Sequence, residues 1–357
     1  GVAGDGGIDQ TLLLRLNIHN VDNGIVMSHS TLDYHNGNGH PGHTMWDQFA
    51  VVDSRVNSIH ANVPAAGYVG IYVSATRYTL IGNTLDSANG GGHVTRTPYI
   101  GSGVVSNNYI ANSKADKHLW QLHAPGQSDT GVAGGGRYTE KVIVSDNTFS
   151  AGAAVWGVFV GPQNTGVDER LRNIIFERNY FIAGAGTSVT MVMRGPVSAI
   201  TVRNNIVNGS LSTSWGSCLQ TIDGGVGPTP SDVSFLNNTL YSASTVQFDG
   251  ITIGAASTPI EVKNNLGYAP NNASSVMVID LSSAATVATN SSNTQLRSTS
   301  PLFSSIPSSS ATQLAATDFK ITAGSYAIDY ATYSASVLRD FFEVARTTPH
   351  DIGAVQA

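Results

Sequence analysis

The chemistry-bearing residues of this chain are concentrated in two neighbouring segments, GGHVTRTPYIG (Gly91 to Gly101) and DKHLWQLHAPG (Asp116 to Gly126), which align at a step of 25 residues. That step sets His93 against His118 and Arg96 against Gln121. Only 18 Lys and Arg accompany 24 Asp and Glu in 357 residues, so several basic groups on one surface would form a local cationic site in an acidic chain. Arg or Lys can neutralise a uronic-acid carboxylate and acidify the neighbouring C–H. A base such as imidazole can then remove that proton while an acid assists the leaving oxygen. Arg96, Lys117, His118 and His123 are the candidate catalytic residues for such a β-elimination. His93, Gln121, Trp156, Asn164, Arg194 and Asp223 are candidate substrate contacts. Each basic residue also has a structural reading. Arg96 can be a surface ion-pair partner, and Lys117 with His118 a solvated junction. His123, before Ala-Pro, can satisfy a turn, and His93 over His118 can be a ladder.

Other constellations point elsewhere. SHSTLDYHNGNGHPGHTMWD (Ser28 to Asp47) carries His29, His35, His40 and His43 with Asp33 and Asp47, a density that suits a metal. Its Gly-rich spacing fits a groove-wall loop better. A glycoside hydrolase would need paired carboxylates, for which Asp223 and Asp249 are the best pair. A non-catalytic carbohydrate-binding or adhesin solenoid would need no titratable cluster at all. Trp46, Trp120 and Trp156 could stack on sugars, with Trp120 expected to point into the core.

What must position these residues is a repeat. A short apolar run, a polar pair and an Asn recur as TLIGNTL (Asn83), VVSNNYI (Asn108), VIVSDNTF (Asn147), IIFERNYF (Asn179), ITVRNNIV (Asn205), VSFLNNTL (Asn238) and IEVKNNLG (Asn265). Their spacing is 25, 39, 32, 26, 33 and 27 residues. The minimum is one coil, and the excess is inserted loop. The apolar runs are rich in β-branched residues and too short for helices. Asn tolerates a left-handed turn, and its amide can bond the next coil's Asn. One coil has no core of its own; stacking supplies it. The pattern predicts an all-β, single-domain right-handed parallel β-helix with an internal Asn ladder. A β-sandwich or propeller would not hold one Asn-to-strand register seven times. The repeat is expected upstream through FAVVDSRV near Ser54, IVMSHSTL near Ser30 and Leu12 to Leu16.

Residues 1–284 are expected to form the solenoid and 285–357 a C-terminal cap. In the tail the Asn repeat fades into SPLF (Ser300 to Phe303), DFKI (Asp318 to Ile321), SYAID (Ser325 to Asp329) and HDIGAVQ (His350 to Gln356). A cap would shield an open apolar end from edge-to-edge association. Alternation along the face strands predicts Val189, Met191 and Met193 inward, and Val192 and Arg194 outward. The Gly-Pro pairs at Gly161 and Gly195 predict Trp156 and Val160 outward, with His123 beside them.

Composition excludes several classes. Hydrophobic residues are 41% and charged residues 12%, enough for a long core but poor in helix formers. A net charge of −6 with no basic tail argues against nucleic acid. The single Cys218 leaves neither an intrachain disulfide nor a CxxC metal site. No apolar run reaches membrane-spanning length. The expected partner is an acidic polysaccharide, met by a monomer.

The segment IYVSATRYTLIGNTL…GGHVTR…GVVSNNYI (Ile71 to Ile110) resembles the core of β-helix alginate and chondroitin lyases. The tail order resembles the closing segment of secreted bacterial β-helix proteins of the pectin-lyase-like superfamily. KHLWQLHAP (Lys117 to Pro125) and GPQN…DER (Gly161 to Arg170) look like segments of uncharacterised bacterial members. The resemblance implies a polysaccharide lyase, with Arg96 matching the family's catalytic Arg. The family's catalytic Lys falls at about Ser74 here, so Lys117, one coil later, is the candidate substitute. Calcium is the one cofactor to consider, although acidic calcium ligands are not evident beside Ser74. The fold and resemblance also imply a secreted or periplasmic location, and a chain numbered from Gly1 is compatible with signal-peptide removal.

Overall fold

In the computed structural model the described residues are 2–4, 10–27, 46–59, 69–86, 92–124, 138–162, 170–222, 229–254, 259–277, 280–281, 289–296, 303–306, 314–332 and 336–356. They form a parallel β-helix. Every pairing between named strands is parallel, and the one helical element described is the 3-10 turn Ala316–Phe319. Each full coil contributes one strand to each of three faces.

Face one includes His118–Leu122, Trp156–Val160, Val189–Arg194, Gly216–Ile222 and Phe248–Ile253. Face two includes Thr139–Ser145, Leu171–Glu177, Val197–Arg203, Ser231–Leu236 and Ile260–Lys263. The long strands Ile71–Ile81 and Thr95–Ser106 run across both, joining them into one eighteen-stranded sheet. Face three is a separate ten-stranded sheet from Asn17–His19 to Thr294–Leu296.

The Asn ladder lies at the corner between faces two and three. Side-chain Nδ2 of each Asn donates to Oδ1 of the next at 2.9–3.0 Å, from Asn83 through Asn108, Asn147, Asn179, Asn205, Asn238 and Asn265 to Asn293. The same oxygen accepts the backbone N–H of the preceding Asn, as Asn108 Oδ1 does from Asn83 at 2.9 Å. Nδ2 also donates to carbonyls, as Asn108 does to Leu80 and Ser106. Both donors and both acceptor sites of the buried amide are thereby satisfied. Ser54 takes the Asn role one coil earlier, with Asn83 Oδ1 accepting its N–H and its own Oγ accepting the N–H of Leu16. The left-handed turn residue is the one before each ladder Asn, not the Asn itself: Gly82, Asn107, Asp146, Arg178, Asn204, Asn237 and Asn264 all have φ between 51° and 71°. Ahead of Ser30, Ile25–Met27 is a face-one strand paired with Ile71–Val73, not the face-two strand that precedes a ladder residue. Ser30 itself lies outside the described residues.

The core is one continuous column of side chains, including the stacked rings of Trp120, Phe149 and Phe181. Face one bends at its first corner, and two consecutive residues turn inward there. Leu119 with Trp120 and Cys218 with Leu219 all lie in the core. The outward rows on face one are therefore His118–Trp156–Val189–Ser217–Asp249 and Gln121–Phe159–Val192–Gln220–Thr252.

The described part of the tail covers the side of the solenoid, where a cap over its end was expected. Phe303, Ile306, Leu314, Phe319, Ile321, Ile352 and Val355 pack on the outward face-three residues Tyr180, Ile206, Tyr241, Leu266 and Tyr268. The cause is the outward row itself, which is apolar in these coils. Tyr109, earlier in the Tyr180 row, is 42% exposed, and Tyr180 is 5% exposed beneath the tail. Buried Arg346 anchors this strap, donating to the Asn204 side chain and to the carbonyls of Asp351 and Gly353. The last ladder rung among the described residues, Asn293, lies beyond the expected boundary at 285.

Candidate functional site

The 25-residue step holds in three dimensions. Arg96 pairs with Gln121 across adjacent coils, and Tyr72 pairs with Arg96 one coil earlier. His93 lies against His118, with ring centroids 5.1 Å apart. The His118 backbone N–H donates to His93 Nδ1 at 3.0 Å, so neutral His93 carries its proton on Nε2. On its far side His118 stacks on Trp156 at 5.1 Å and 17° and on Phe159 at 5.6 Å and 18°. His118 Nδ1 is buried without a hydrogen-bond partner.

Burial controls the charge of both imidazoles. It pushes His118 down to about 4, and the nearby positive Lys117 and Arg96 push the same way. It holds His93 well below the usual histidine range, with His118 and Arg96 adding to the effect. Both rings are therefore neutral at pH 7 beside two cations. The Arg96 guanidinium lies 6.0 Å from the Tyr72 ring centroid, within the range of a cation–π contact. Lys117 is half-buried and pairs with exposed Asp116 at 3.2 Å.

His123 is buried within its coil. Its Nδ1 donates to the Gly161 carbonyl at 2.8 Å, and Nε2 lies 3.2 Å from the Gln121 side-chain amide. The Thr139 hydroxyl also donates to the His123 carbonyl. Trp156 is half-buried, with its ring stacked on His118 and Phe159. Arg194 is half-buried two coils from His123, about 10 Å at normal strand spacing. Asn164 and Asp223 lie outside the described residues, as do His29, His35, His40 and His43. Among the described residues no group of three or more His, Cys, Asp or Glu side chains is placed to hold a metal ion. Asp249 is fully buried, with its carboxylate accepting from the Val276 N–H and from Gln247.

Two orientations differ from expectation. Val160 points into the core opposite Met193, and Val189 joins an outer cluster with Phe159 and Val192. The Gly-Pro alignment is off by one residue: Gly161 sits over Arg194, not Gly195. A one-residue slip inverts a side chain, and the inward pair at the corner then restores Trp156 to the outside. Tyr72 and Phe159 were not anticipated. Tyr72 was findable, lying one coil before Arg96 in the same register.

Matched against protein-family models and against curated proteins, the chain finds no counterpart in either. Its site is therefore read from geometry alone. Among the described residues no helix is long and apolar enough to cross a membrane. What the face-one site combines is a neutral imidazole whose Nδ1 is buried without a partner, two cations beside it, and a stacked aromatic support.

Proposed function

We propose that this protein is a secreted or periplasmic polysaccharide lyase of the pectin-lyase-like type, acting on an acidic polysaccharide over face one around His118. The observation that carries this reading is His118 itself, held neutral with Nδ1 unpartnered beside Arg96 and Lys117. A neutral imidazole can accept a proton, and a guanidinium cannot lose one at any working pH. Arg96 pairs with the uronate carboxylate and withdraws charge from it, which acidifies the neighbouring C–H. His118 takes that proton. The Lys117 ammonium supplies the proton that the departing glycosidic oxygen needs, so the bond breaks as the double bond forms.

His93 fixes the position of the His118 backbone through its Nδ1. Gln121 and Arg194 contact flanking sugars, and His123 holds Gln121 in place. No step requires calcium.

Incubation with alginate, pectate, hyaluronan and gellan-type polymers, followed by the ultraviolet absorbance of the unsaturated uronide, tests this. A rise on at least one acidic polymer is expected. Reducing ends released from a neutral polymer with no such rise would replace the lyase by a hydrolase. Binding without turnover would make the protein a carbohydrate-binding solenoid.

A further inference from the structure

Face two carries a feature unrelated to the histidine site. In Thr139–Ser145, Leu171–Glu177, Val197–Arg203 and Ser231–Leu236 the same rung is left-handed: Lys141, Asn173, Ala199 and Asp232 have φ of 55°, 54°, 51° and 51°. The paired row Glu140–Arg172–Ser198–Ser231 precedes this rung, and Val142–Ile174–Ile200–Val233 follows it. Each strand therefore kinks at one level, and the kinks line up along the solenoid.

Asn and Asp adopt this conformation at little cost, whereas Ala does so rarely and with strain. Ala199 stands between Asn173 and Asp232, so the row of longer side chains is interrupted at one coil. A cavity of about 320 Å³ opens there, lined by Asn173, Ile175, Ala199, Thr201, Asp232 and Ser234. Such a volume is near the lower end for ligand pockets.

We propose that this notch binds one sugar ring of a neutral glycan. Its chemistry is two-sided, as a pyranose is. Ile175 and Ala199 offer an apolar floor for C–H groups. The Asn173 amide, the Asp232 carboxylate and the hydroxyls of Thr201 and Ser234 offer hydrogen bonds to sugar hydroxyls. The charges disfavour a uronic acid. Asp232 lines the notch, and Glu261 lies 3.3 Å from Ser234 Oγ. The nearby cations are engaged, Arg172 with Glu140 and over the Tyr138 ring, and Lys141 with Glu140. Strand spacing near 4.8 Å is close to the advance of one sugar in an extended chain. Ala199 keeps open the space that an Asn or Asp side chain would fill.

Saturation-transfer NMR and calorimetry with cellohexaose and mannohexaose test the assignment, with hexagalacturonate as the charged comparison. Wild type should bind at least one neutral hexamer, and binding of hexagalacturonate, which belongs to face one, should not depend on Ala199. Ala199→Asn, which suits the backbone but fills the notch, should melt no lower than wild type and bind at least tenfold more weakly. Ala199→Gly, which suits the backbone and leaves the notch open, should keep binding. His118→Gln should also keep it, which separates this notch from the lyase site. The proposal is overturned if neither neutral hexamer binds, if Ala199→Asn weakens uronate binding as much as neutral-hexamer binding, if Ala199→Asn binds a neutral hexamer like wild type, or if Ala199→Gly loses binding.

Discussion

His93 and His118, 25 residues apart in sequence, meet as neighbours on adjacent coils: the His118 backbone N–H donates to His93 Nδ1, and the two rings lie 5.1 Å apart. The His118 backbone thus fixes the tautomer of His93, and the two rings share their burial. The arrangement resembles the Asn ladder in form but has a different result. Ladder amides are fully bonded, whereas His118 Nδ1 is buried without a partner.

Acid should destabilise the protein through these histidines. The folded-state pKa of His118 is depressed to about 4 from an ordinary 6.5, so between those values the unfolded chain binds more protons than the folded one. Stability therefore falls as pH drops from about 6.5 towards 4, by no more than roughly 3 kcal/mol from this residue. His93 acts in the same direction. Melting curves across that window should show the decline, and His118→Gln should flatten it. An identical slope in the variant would mean that His118 is not buried as described.

The ladder should be most sensitive in its middle. Asn179→Ala removes the bonds to Asn205 and Val144 and leaves Asn147 without its acceptor. Loss of about 3 kcal/mol is expected in denaturant titration, because buried polar partners are orphaned. Asn293→Ala, at the half-buried last rung, should cost clearly less. Equal costs at the two positions would contradict the burial gradient.

Orientation on the faces is open to direct test. Val160→Lys buries a charge in the core and should prevent folding or lower the melting temperature steeply. Ile143→Lys, on an outward and exposed position of face two, should be nearly neutral. Similar behaviour of the two would mean that the register is shifted.

The strap should loosen when its anchor is lost. Arg346→Met removes donors to Asn204, Asp351 and Gly353 and should raise hydrogen exchange in residues 336–356 and at Tyr180. Exchange confined to the tail, with Tyr180 unchanged, would show that the strap does not depend on Arg346 to cover face three.

The fold was legible because the ladder needs Asn at one position per coil, from Asn83 to Asn265. The 25-residue step that joins Arg96 to Gln121 was legible for the same reason. Side-chain direction near the face-one corner was less so. Alternation assumes a flat strand, and at Leu119 and Trp120 the chain bends and turns two residues inward. Gly161 and Gly195 matched by type while their strands pair one residue apart, which misdirected Val160. The tail's destination was available in principle. Tyr180, Ile206, Tyr241, Leu266 and Tyr268 form an apolar outward set that needs a cover, and length and order alone suggested an end cap instead.

The most direct test of the account is the rate at which wild type and His118→Gln release unsaturated uronide from an acidic polysaccharide near neutral pH. Wild type should turn over, and the variant should fold at that pH yet lose about 10²-fold or more of its rate, the usual scale for a missing general base. Undiminished turnover by His118→Gln, or no unsaturated product from wild type on any acidic polymer, would contradict it.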